Sequence, residues 1–419
     1  MYYLFFALYL FFFCWVITKI NFLRNSGLNN RTLILLFLLK ILVGIFYGLV
    51  TQPPESFGDN WSMHAEGITE FHLLFSHPKE FVSSLFHDDY NNAFGGFLDT
   101  TDSYWNLLRS KIMAKLLAIF DIFSGCNYYI NTIFYNFLIF FGFIALYRLY
   151  SSIYSMRTIV LIIGVFLLPS LLYFTSGIHK DGLIFLGIAT VAYNMRLMII
   201  SGRYEIKRIL FILIGLTIIF LLRNFVLITL LPALVAWWLT SKSSRYVVQR
   251  FAIIYIGFAI LFFSLHLINE RVDLPRYVSE RQIQFIKLSR NAGSAINVNL
   301  LFPDFRSFLN NTPQALNHSL MRPYLTEKFS IAYMPVAAEI FVYELLFLLF
   351  LFFPLRSQVD TFICFGLFFS LTMMMIIGYT IPIIGAIVRY RSIYFPFLLI
   401  PILAGIDWTK LFNLRRSKK

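Results

Sequence analysis

Long apolar segments recur along this 419-residue chain and restrict what it can fold into. A helix that crosses a bilayer needs about 20 predominantly apolar residues. The candidate segments are 2–22, 32–51, 127–149, 158–176, 182–200, 208–222, 225–240, 249–268, 335–355, 359–378 and 391–407. Only 13% of the residues are charged, which is too few to cover a soluble domain of this size. The sequence therefore predicts an all-α polytopic membrane protein with about 11 transmembrane helices.

Lys and Arg are spread unevenly over the connections between these segments. One set of connections is rich in them, and the opposite short turns carry only Lys180, Arg223, Arg389 and Arg391. The rich set is expected to be cytoplasmic, which places the amino terminus outside and the basic tail 408–419 inside. Transmembrane helices 1–2, 3–8 and 9–11 then occupy 1–51, 127–268 and 335–407, and 52–126 and 269–334 are long non-cytoplasmic loops. No basic soluble domain remains to bind nucleic acid despite the net charge of +14.

The first long loop contains two predicted helices. The segment 60–75 follows Asp59, and 105–123 places Leu107, Leu108, Ile112, Leu116, Ile119 and Phe123 near one face. Its cations Arg109, Lys111 and Lys115 point away from that face. This helix either lies in the membrane interface or packs against the loop itself. In the second loop, a further amphipathic helix is predicted at 277–290.

Asp59 is the first candidate for chemistry. It follows the second apolar segment closely, so its carboxylate is expected near the outer membrane surface, partly shielded beside Trp61. Such a group can accept a proton, and with Asp88 and Asp89 it can bind a divalent cation. The structural alternative is that Asp59 simply caps the helix that follows it.

The turn from Ser176 to Gly182 is the second candidate, because His179 and Lys180 lie there against the charge rule. Together with Arg223, Arg389 and Arg391 they could bind a phosphate or pyrophosphate. The structural alternative is that Lys180 pairs locally with Asp181 or with lipid headgroups. Whether these outward cations converge does not follow from the sequence.

Ionisable residues inside the apolar segments are the third candidates. Glu339 and Glu344 lie five residues apart and therefore on different helix faces, and either indicates a functional site. Lys40 is expected to extend its ammonium toward the cytoplasmic surface. Glu344 and Lys40 keep a transporter or lipid flippase among the alternatives.

An acid after an early span, a long outer loop with an amphipathic helix and a late second outer loop together resemble the GT-C superfamily of membrane glycosyltransferases. The segment Asp59-Asn60-Trp61-Ser62-Met63-His64-Ala65 resembles the family's acidic motif, and Asp88-Asp89 resembles its acidic pair. The resemblance implies an inverting transferase that takes a sugar from a polyprenyl-phosphate carrier in the bacterial inner membrane. Asp59 would be the base and Asp88 or Asp89 an accessory acid or a ligand of Mg²⁺ or Mn²⁺, and the acceptor a glycan, lipid or protein.

The stretch from Pro169 to Gly182 also resembles bacterial polysaccharide polymerases, which join repeat units carried on undecaprenyl pyrophosphate. That resemblance implies a reaction without metal, in which Lys180, Arg223, Arg389 and Arg391 bind pyrophosphate. Asp59 would then be less important for the reaction. The sequence favours the GT-C transferase and leaves the polymerase and the transporter as alternatives.

Overall fold

The structure is a computed structural model that describes residues 2–52, 59–86, 104–243, 245–269, 272–290, 292–327, 333–355 and 359–411. These residues are predominantly helical, and the only β pairings among them are two isolated bridges. Seven helices there are long and apolar enough to cross a membrane, or nine if two further pairs of shorter helices each form one span. An all-α polytopic membrane protein is therefore supported, whereas the predicted number of 11 spans is not confirmed.

The helices of the amino-terminal half are α1 (Tyr2–Lys19), α2 (Asn21–Arg24), α3 (Asn30–Val50), α4 (Asp59–Ser76), α5 (Pro78–Ser83), α6 (Tyr104–Ser124), α7 (Tyr128–Ser151), α8 (Thr158–Phe166), α9 (Pro169–Ser176) and α10 (Lys180–Ser201). Those that follow are α11 (Ile206–Leu222), α12 (Asn224–Thr240), α13 (Val247–Ile268), α14 (Leu274–Ser289), α15 (Phe305–Leu316), α16 (Met334–Phe352), α17 (Thr361–Thr380), α18 (Ile384–Ser392) and α19 (Phe395–Gly405). A π-helical turn, Asn317–Met321, extends α15.

The chain divides into two compact units. The first contains Met1–Ser152 and Leu171–Leu227, and the second contains Ile153–Ser170 and Ile228–Lys419. The predicted segments 208–222 and 225–240 are α11 and α12, each of 17 residues. At about 1.5 Å per residue each is roughly 25 Å long, short of the roughly 30 Å hydrocarbon core. Each of these two helices is therefore shorter than a straight helix that spans the hydrocarbon core.

Close helix packing forms the core of the first unit. α3, α7, α10 and α11 pack in sequence, and Gly44 and Gly48 of α3 allow neighbouring groups to approach the helix axis. At Gly44 a Cβ atom would lie 2.5 Å from the carbonyl oxygen of Ser176 and 2.6 Å from Cγ2 of Thr132. Most of α7 is buried, in contrast to the largely exposed α1.

The helix predicted at 105–123 exists as α6, and it packs against α4 in the first unit. Its buried residues include Leu108, Met113, Ala114, Leu117 and Ala118, so of the predicted apolar face only Leu108 is buried, and Ile119 and Phe123 are exposed. Lys115, expected to point away, is buried because its ammonium lies 2.6 Å from the carboxylate of Glu70. The ion pair between Lys115 and Glu70 therefore allows a lysine to be buried at a position where hydrophobic periodicity predicts an exposed side chain.

The second unit is organised around α17, which packs against α13, α14, α15 and α19. The amphipathic helix predicted at 277–290 is confirmed as α14, and Gln282 fixes it by donating hydrogen bonds to the carbonyl oxygens of Asn299 and Tyr379. The last predicted span, 391–407, is instead divided between α18 and α19, whose axes differ by 65°. Arg389 and Arg391 consequently lie within a helix rather than in a turn.

Candidate functional site

The helix that carries Asp59 is anchored at one end of the first unit. The side-chain amide of Asn60 donates to the hydroxyls of Thr51 and Tyr128, both at 2.8 Å. Trp61 donates to the carbonyl oxygen of Gly48 at 3.0 Å and stacks on Tyr128 with ring centroids 4.2 Å apart. The ends of α3 and α7 thus fix the start of α4, and with it the position of Asp59.

Asp59 itself is not shielded in the way the sequence suggested. Its side chain is 60% exposed, and its Oδ2 atom lies 3.6 Å from Nε2 of His179. Trp61 stacks on Tyr128 and donates to α3, so its ring is engaged with the helix ends. The carboxylate is therefore open to solvent on one side and faces a buried imidazole on the other.

His179, at the end of the turn between α9 and α10, and Asp181, in the first turn of α10, form a buried pair. Nδ1 of His179 lies 2.6 Å from Oδ2 of Asp181, and Nη1 of Arg223 lies 2.7 Å from Oδ1 of the same carboxylate. Asp181 has no exposed surface and His179 is only 2% exposed. The hydroxyl of Tyr135 donates to the backbone carbonyl of His179 and fixes the turn from α7.

Asp181 was expected only as a candidate local partner of Lys180. The carboxylate of Asp181 contacts His179 and Arg223, and neither contact was predicted. The available signal was an acid two residues after a histidine in a short turn. Its pairing with Arg223, 42 positions later, could not be inferred because it depends on how α10 packs against α11.

Lys180 lies among further charged side chains that are distant from it in the sequence. Its ammonium is 3.3 Å from the hydroxyl of Ser110. Arg223, Arg109, Glu66 and Asp59 all lie close enough to interact electrostatically with that ammonium. The predicted residues Asp59, His179, Lys180 and Arg223 are thus brought together in one cluster.

Arg109 and Asn224 complete the cluster, because Nη2 of Arg109 donates to Oδ1 of Asn224 at 2.7 Å. Arg109 was predicted to point away from the apolar face of α6; it is half-buried, and its partner Asn224 was not predicted. The cluster therefore contains three cationic side chains, of which Arg223 is paired with the buried Asp181, beside the exposed carboxylates of Asp59 and Glu66. Lys180 and Arg109 could bind an anionic ligand next to a carboxylate that accepts a proton.

Lys40 lies within α3 and contradicts the expectation that its ammonium reaches the cytoplasmic surface. The side chain is 1% exposed, and Nζ lies 3.2 Å from the hydroxyl of Thr175 and 3.1 Å from that of Ser176. The ammonium also lies 4.0 Å from the ring centroid of Phe143. Lys40 therefore supports the end of α9, immediately before the turn that carries His179.

A second titratable pair lies between α4 and α6. Burial lowers the pKa of His64 and raises the pKa of Asp121. The charge of Asp121 partly raises the pKa of His64 again, and the charge of His64 partly lowers that of Asp121. Asp121 accepts hydrogen bonds from Asn131 at 2.7 Å and Ser124 at 3.2 Å. The pair is thus held inside the protein and joins α4 and α6 to α7.

The remaining predicted residues lie in the second unit. Arg391 is 1% exposed and donates from Nη1 to the carbonyl oxygens of Ser319, at 2.9 Å, and Arg322. Arg389 is in the same helix, with its guanidinium 5.6 Å from the ring centroid of Tyr390. Much of the hydrogen-bonding capacity of Arg391 is thus directed to the end of the π-helical turn.

Of the two glutamates in α16, Glu339 is held in place by hydrogen bonds. It accepts hydrogen bonds from the backbone N–H of Ser170 at 3.0 Å and from the hydroxyls of Ser170 and Tyr343. Glu344 is half-buried and has no ion pair or hydrogen bond with any residue that the structure describes. The two glutamates therefore differ in environment, as their spacing predicted.

Asp88 and Asp89 lie outside the described residues, so their expected role stays a prediction. Within the described ranges, no group of three or more His, Cys, Asp or Glu side chains is placed to hold a metal ion. A divalent cation beside Asp59 is likewise a prediction.

Comparison with known proteins gives no further assignment. No family model matches the chain, and neither a curated protein nor a solved structure is similar to it at a significant level.

Proposed function

We propose that this protein is a membrane glycosyltransferase that moves a sugar from a polyprenyl-phosphate carrier to a glycan, lipid or protein acceptor on the non-cytoplasmic face. The observation that carries the proposal is the exposed carboxylate of Asp59 near the Lys180 ammonium, with Arg109 and Arg223 near that same ammonium. Sugar transfer from a phosphate carrier requires both features, because the acceptor hydroxyl loses a proton while negative charge develops on the leaving phosphate.

In this proposal Asp59 removes the proton from the acceptor hydroxyl. The acceptor oxygen attacks the anomeric carbon, the bond from that carbon to the phosphate oxygen breaks, and the electron pair leaves with the phosphate. Lys180 and Arg109 stabilise the phosphate as its charge increases, and Arg223 holds Asp181 in place. His179, Arg389 and Arg391, predicted as phosphate-binding residues, stay predictions in that role.

The test is the profile of lipid-linked glycans in cells that lack the protein, compared with cells that carry only Asp59→Asn. If both strains accumulate a polyprenyl-phosphate monosaccharide and the finished glycan loses one sugar, the transferase is supported. Glu280→Gln is the matched control, because it removes one exposed carboxylate in the second unit, where it pairs with Arg276. A normal profile in the Asp59→Asn strain would contradict the proposal.

A polysaccharide polymerase that acts on undecaprenyl-pyrophosphate repeat units is the second candidate. The exposure of Asp59 favours it, because an exposed carboxylate lacks the burial that raises basicity, whereas the cations Lys180, Arg109 and Arg223 lie close together. Accumulation of single repeat units with Lys180→Met, together with a normal profile with Asp59→Asn, would support this candidate.

A transporter or flippase is favoured by one observation in the second unit. Glu339 is buried in an apolar helix and accepts a hydrogen bond from the first turn of the short helix α9, and buried carboxylates at interrupted helices are typical of transporters. Glu339→Gln would then abolish function, with Glu344→Gln as the matched control in the same helix. Normal glycan profiles with Asp59→Asn and Lys180→Met would accompany that result.

A further inference from the structure

The helix α15 has an apolar face that the protein covers only in part. Phe308 and Ala315, seven positions apart on that face, are buried. Phe305 and Leu309 lie on the same side of the helix, because positions three and four apart are neighbours on a helix surface, yet each is more than half exposed. Phe302, just before the helix, is exposed to a similar extent. We refer to Phe302, Phe305 and Leu309 as the open face of α15.

The other side of α15 is polar. Arg306 and Asn310 are exposed there, and the side-chain oxygen of Gln314 accepts a hydrogen bond from the backbone N–H of Asn299 at 2.9 Å. Apolar and polar residues thus divide the helix lengthwise. Such a division, with exposed Phe and Leu side chains on the apolar side, is typical of a helix that lies in the plane of a membrane surface.

Contacts with two apolar helices give the depth of α15. Both α13 and α17 are long and apolar enough to cross a membrane. Phe308 packs on Tyr379 in the last turn of α17, with ring centroids 5.2 Å apart. Phe305 and Phe308 also pack edge-on against Phe263 of α13, which lies five residues before Ile268, the last residue of that helix. This separation is about 8 Å along the helix axis, and interfacial helices are buried to a similar depth, roughly 5–10 Å.

The open face also adjoins the exposed surface of α13. Little of α13 is buried, and Ile260, Leu267 and Ile268 are each more than half exposed. A helix with large apolar side chains exposed along its length is stable in lipid rather than in water, so acyl chains are expected to cover this surface. Phe263 of α13 contacts Phe305 of the open face, with ring centroids 5.4 Å apart. The two surfaces are therefore continuous.

We propose that α15 is an interfacial helix and that the acyl chains of the bilayer cover its open face. The polar side, with Arg306 and Asn310, then faces the headgroups and water. This inference does not depend on the transferase function, because it rests only on the packing of α13, α15 and α17. A second copy of the chain fits the open face less well. Its three side chains, of at most about 250 Å² each, provide less than the roughly 800 Å² per partner that a stable interface buries.

The direct test is photo-crosslinking of the full-length protein in liposomes of phosphatidylethanolamine and phosphatidylglycerol. In separate variants p-benzoylphenylalanine replaces Phe305, Leu309 or Asn310, and mass spectrometry identifies what each variant crosslinks to. A phospholipid adduct is expected for the Phe305 and Leu309 variants. It is expected to be lost in the Asn310 variant, which is the matched control because Asn310 is exposed on the polar side. Absence of the adduct in the first two variants, or equal adducts in all three, would overturn the proposal.

The same experiment separates the other occupants of this face. The liposomes contain no polyprenyl lipid, so a polyprenyl carrier cannot produce the expected adduct. Crosslinking of the Leu309 variant only after undecaprenyl phosphate is added would refute the proposal and assign the open face to the carrier. Crosslinked dimers of the chain without a lipid adduct would refute it in favour of an interface between two copies.

A second measurement does not depend on crosslinking chemistry. Leu309→Trp and Asn310→Trp each add one tryptophan to the six of the wild type, whose emission is subtracted. Both positions are exposed, so neither substitution disturbs the packing of α15. Lipids brominated along the acyl chain are expected to quench the added emission of Leu309→Trp, whereas acrylamide in the water quenches that of Asn310→Trp. Stronger quenching of Leu309→Trp by acrylamide than by brominated lipid would show that the open face lies in water, contrary to the proposal.

Discussion

Arg223 and Asp181 form a buried ion pair in the first unit, with Nη1 of Arg223 2.7 Å from Oδ1 of Asp181. Asp181 has no exposed surface and Arg223 is 8% exposed. Arg223 occupies the single position between α11 and α12, so this contact ties the break between two helices to the first turn of α10. One contact thus fixes both a helix end and the turn that carries His179.

Removal of Arg223 is therefore expected to destabilise the first unit. Arg223→Met leaves the carboxylate of Asp181 buried without its guanidinium partner, and breaking a buried pair in this way costs about 3–5 kcal/mol. The measurement is denaturant unfolding of the purified protein in detergent. Arg276→Met is the matched control, because its pair with Glu280 is exposed and its loss should change stability little. Equal effects of the two substitutions would contradict the structural role of the buried pair.

Substitutions of the neighbouring residues Asp59 and Asn60, at the start of α4, are expected to affect transfer and stability differently. Asp59→Asn should leave the unfolding free energy nearly unchanged, because the side chain is 60% exposed, and should reduce transfer by about 10²–10⁴-fold if Asp59 is the base. Asn60→Ala removes the donor to Thr51 and Tyr128 from a fully buried site. It should lower stability by about 1–3 kcal/mol, measured by the same unfolding experiment. A destabilised Asp59→Asn protein would contradict the exposed position of that carboxylate.

His318 makes the stability of the second unit depend on pH. Burial, with a smaller contribution from the positive charge of Arg322, lowers the pKa of His318 to about 4. The folded protein therefore keeps the imidazole neutral, whereas the unfolded chain binds a proton near pH 6.5. The unfolding free energy is fully retained above pH 6.5 and decreases as the pH falls toward 4, by at most about 1.4 kcal/mol per pH unit.

The measurement is the unfolding midpoint of the wild type and of His318→Gln at pH 7.5, 6, 5 and 4.5. The wild type should lose stability more steeply than the variant across this series. His72→Gln provides the control, since His72 lies on the exposed face of α4. Parallel curves for the wild type and His318→Gln would show that this histidine is not held neutral.

Several features of the fold followed from the sequence because they depend on local pattern. The apolar segments predicted the helices α3, α7, α10, α13, α16 and α17, and the amphipathic pattern at 277–290 predicted α14. The interruption at Arg223 was also predicted, because a cation followed by Asn224 between two apolar runs favours a break. These predictions required no knowledge of which helices are neighbours.

The failures at Lys40, Lys115 and Asp181 share one cause, which is tertiary pairing. Lys40 and Lys115 were expected to reach solvent, but hydroxyls of α9 surround the first and Glu70 neutralises the second. The role of Asp181 was missed because its partner Arg223 is distant in sequence. Hydrophobic periodicity describes one helix at a time, so it cannot show where a buried charge finds its partner.

Close packing at Gly44 provides the last prediction. Gly44→Ala introduces a Cβ atom 2.5 Å from the carbonyl oxygen of Ser176 and 2.6 Å from Cγ2 of Thr132, so α3 and its neighbours must move apart. Overpacking of this kind typically costs about 1–3 kcal/mol. Gly257→Ala in α13 is the matched control, because nothing lies within 4 Å of its Cβ position and alanine favours a helix by about 1 kcal/mol. Unfolding in detergent should therefore show opposite signs for the two substitutions. Because Ser176 directly precedes the turn that carries His179, Gly44→Ala should also reduce transfer, and a stabilised Gly44→Ala protein would contradict the packing of α3 against the end of α9.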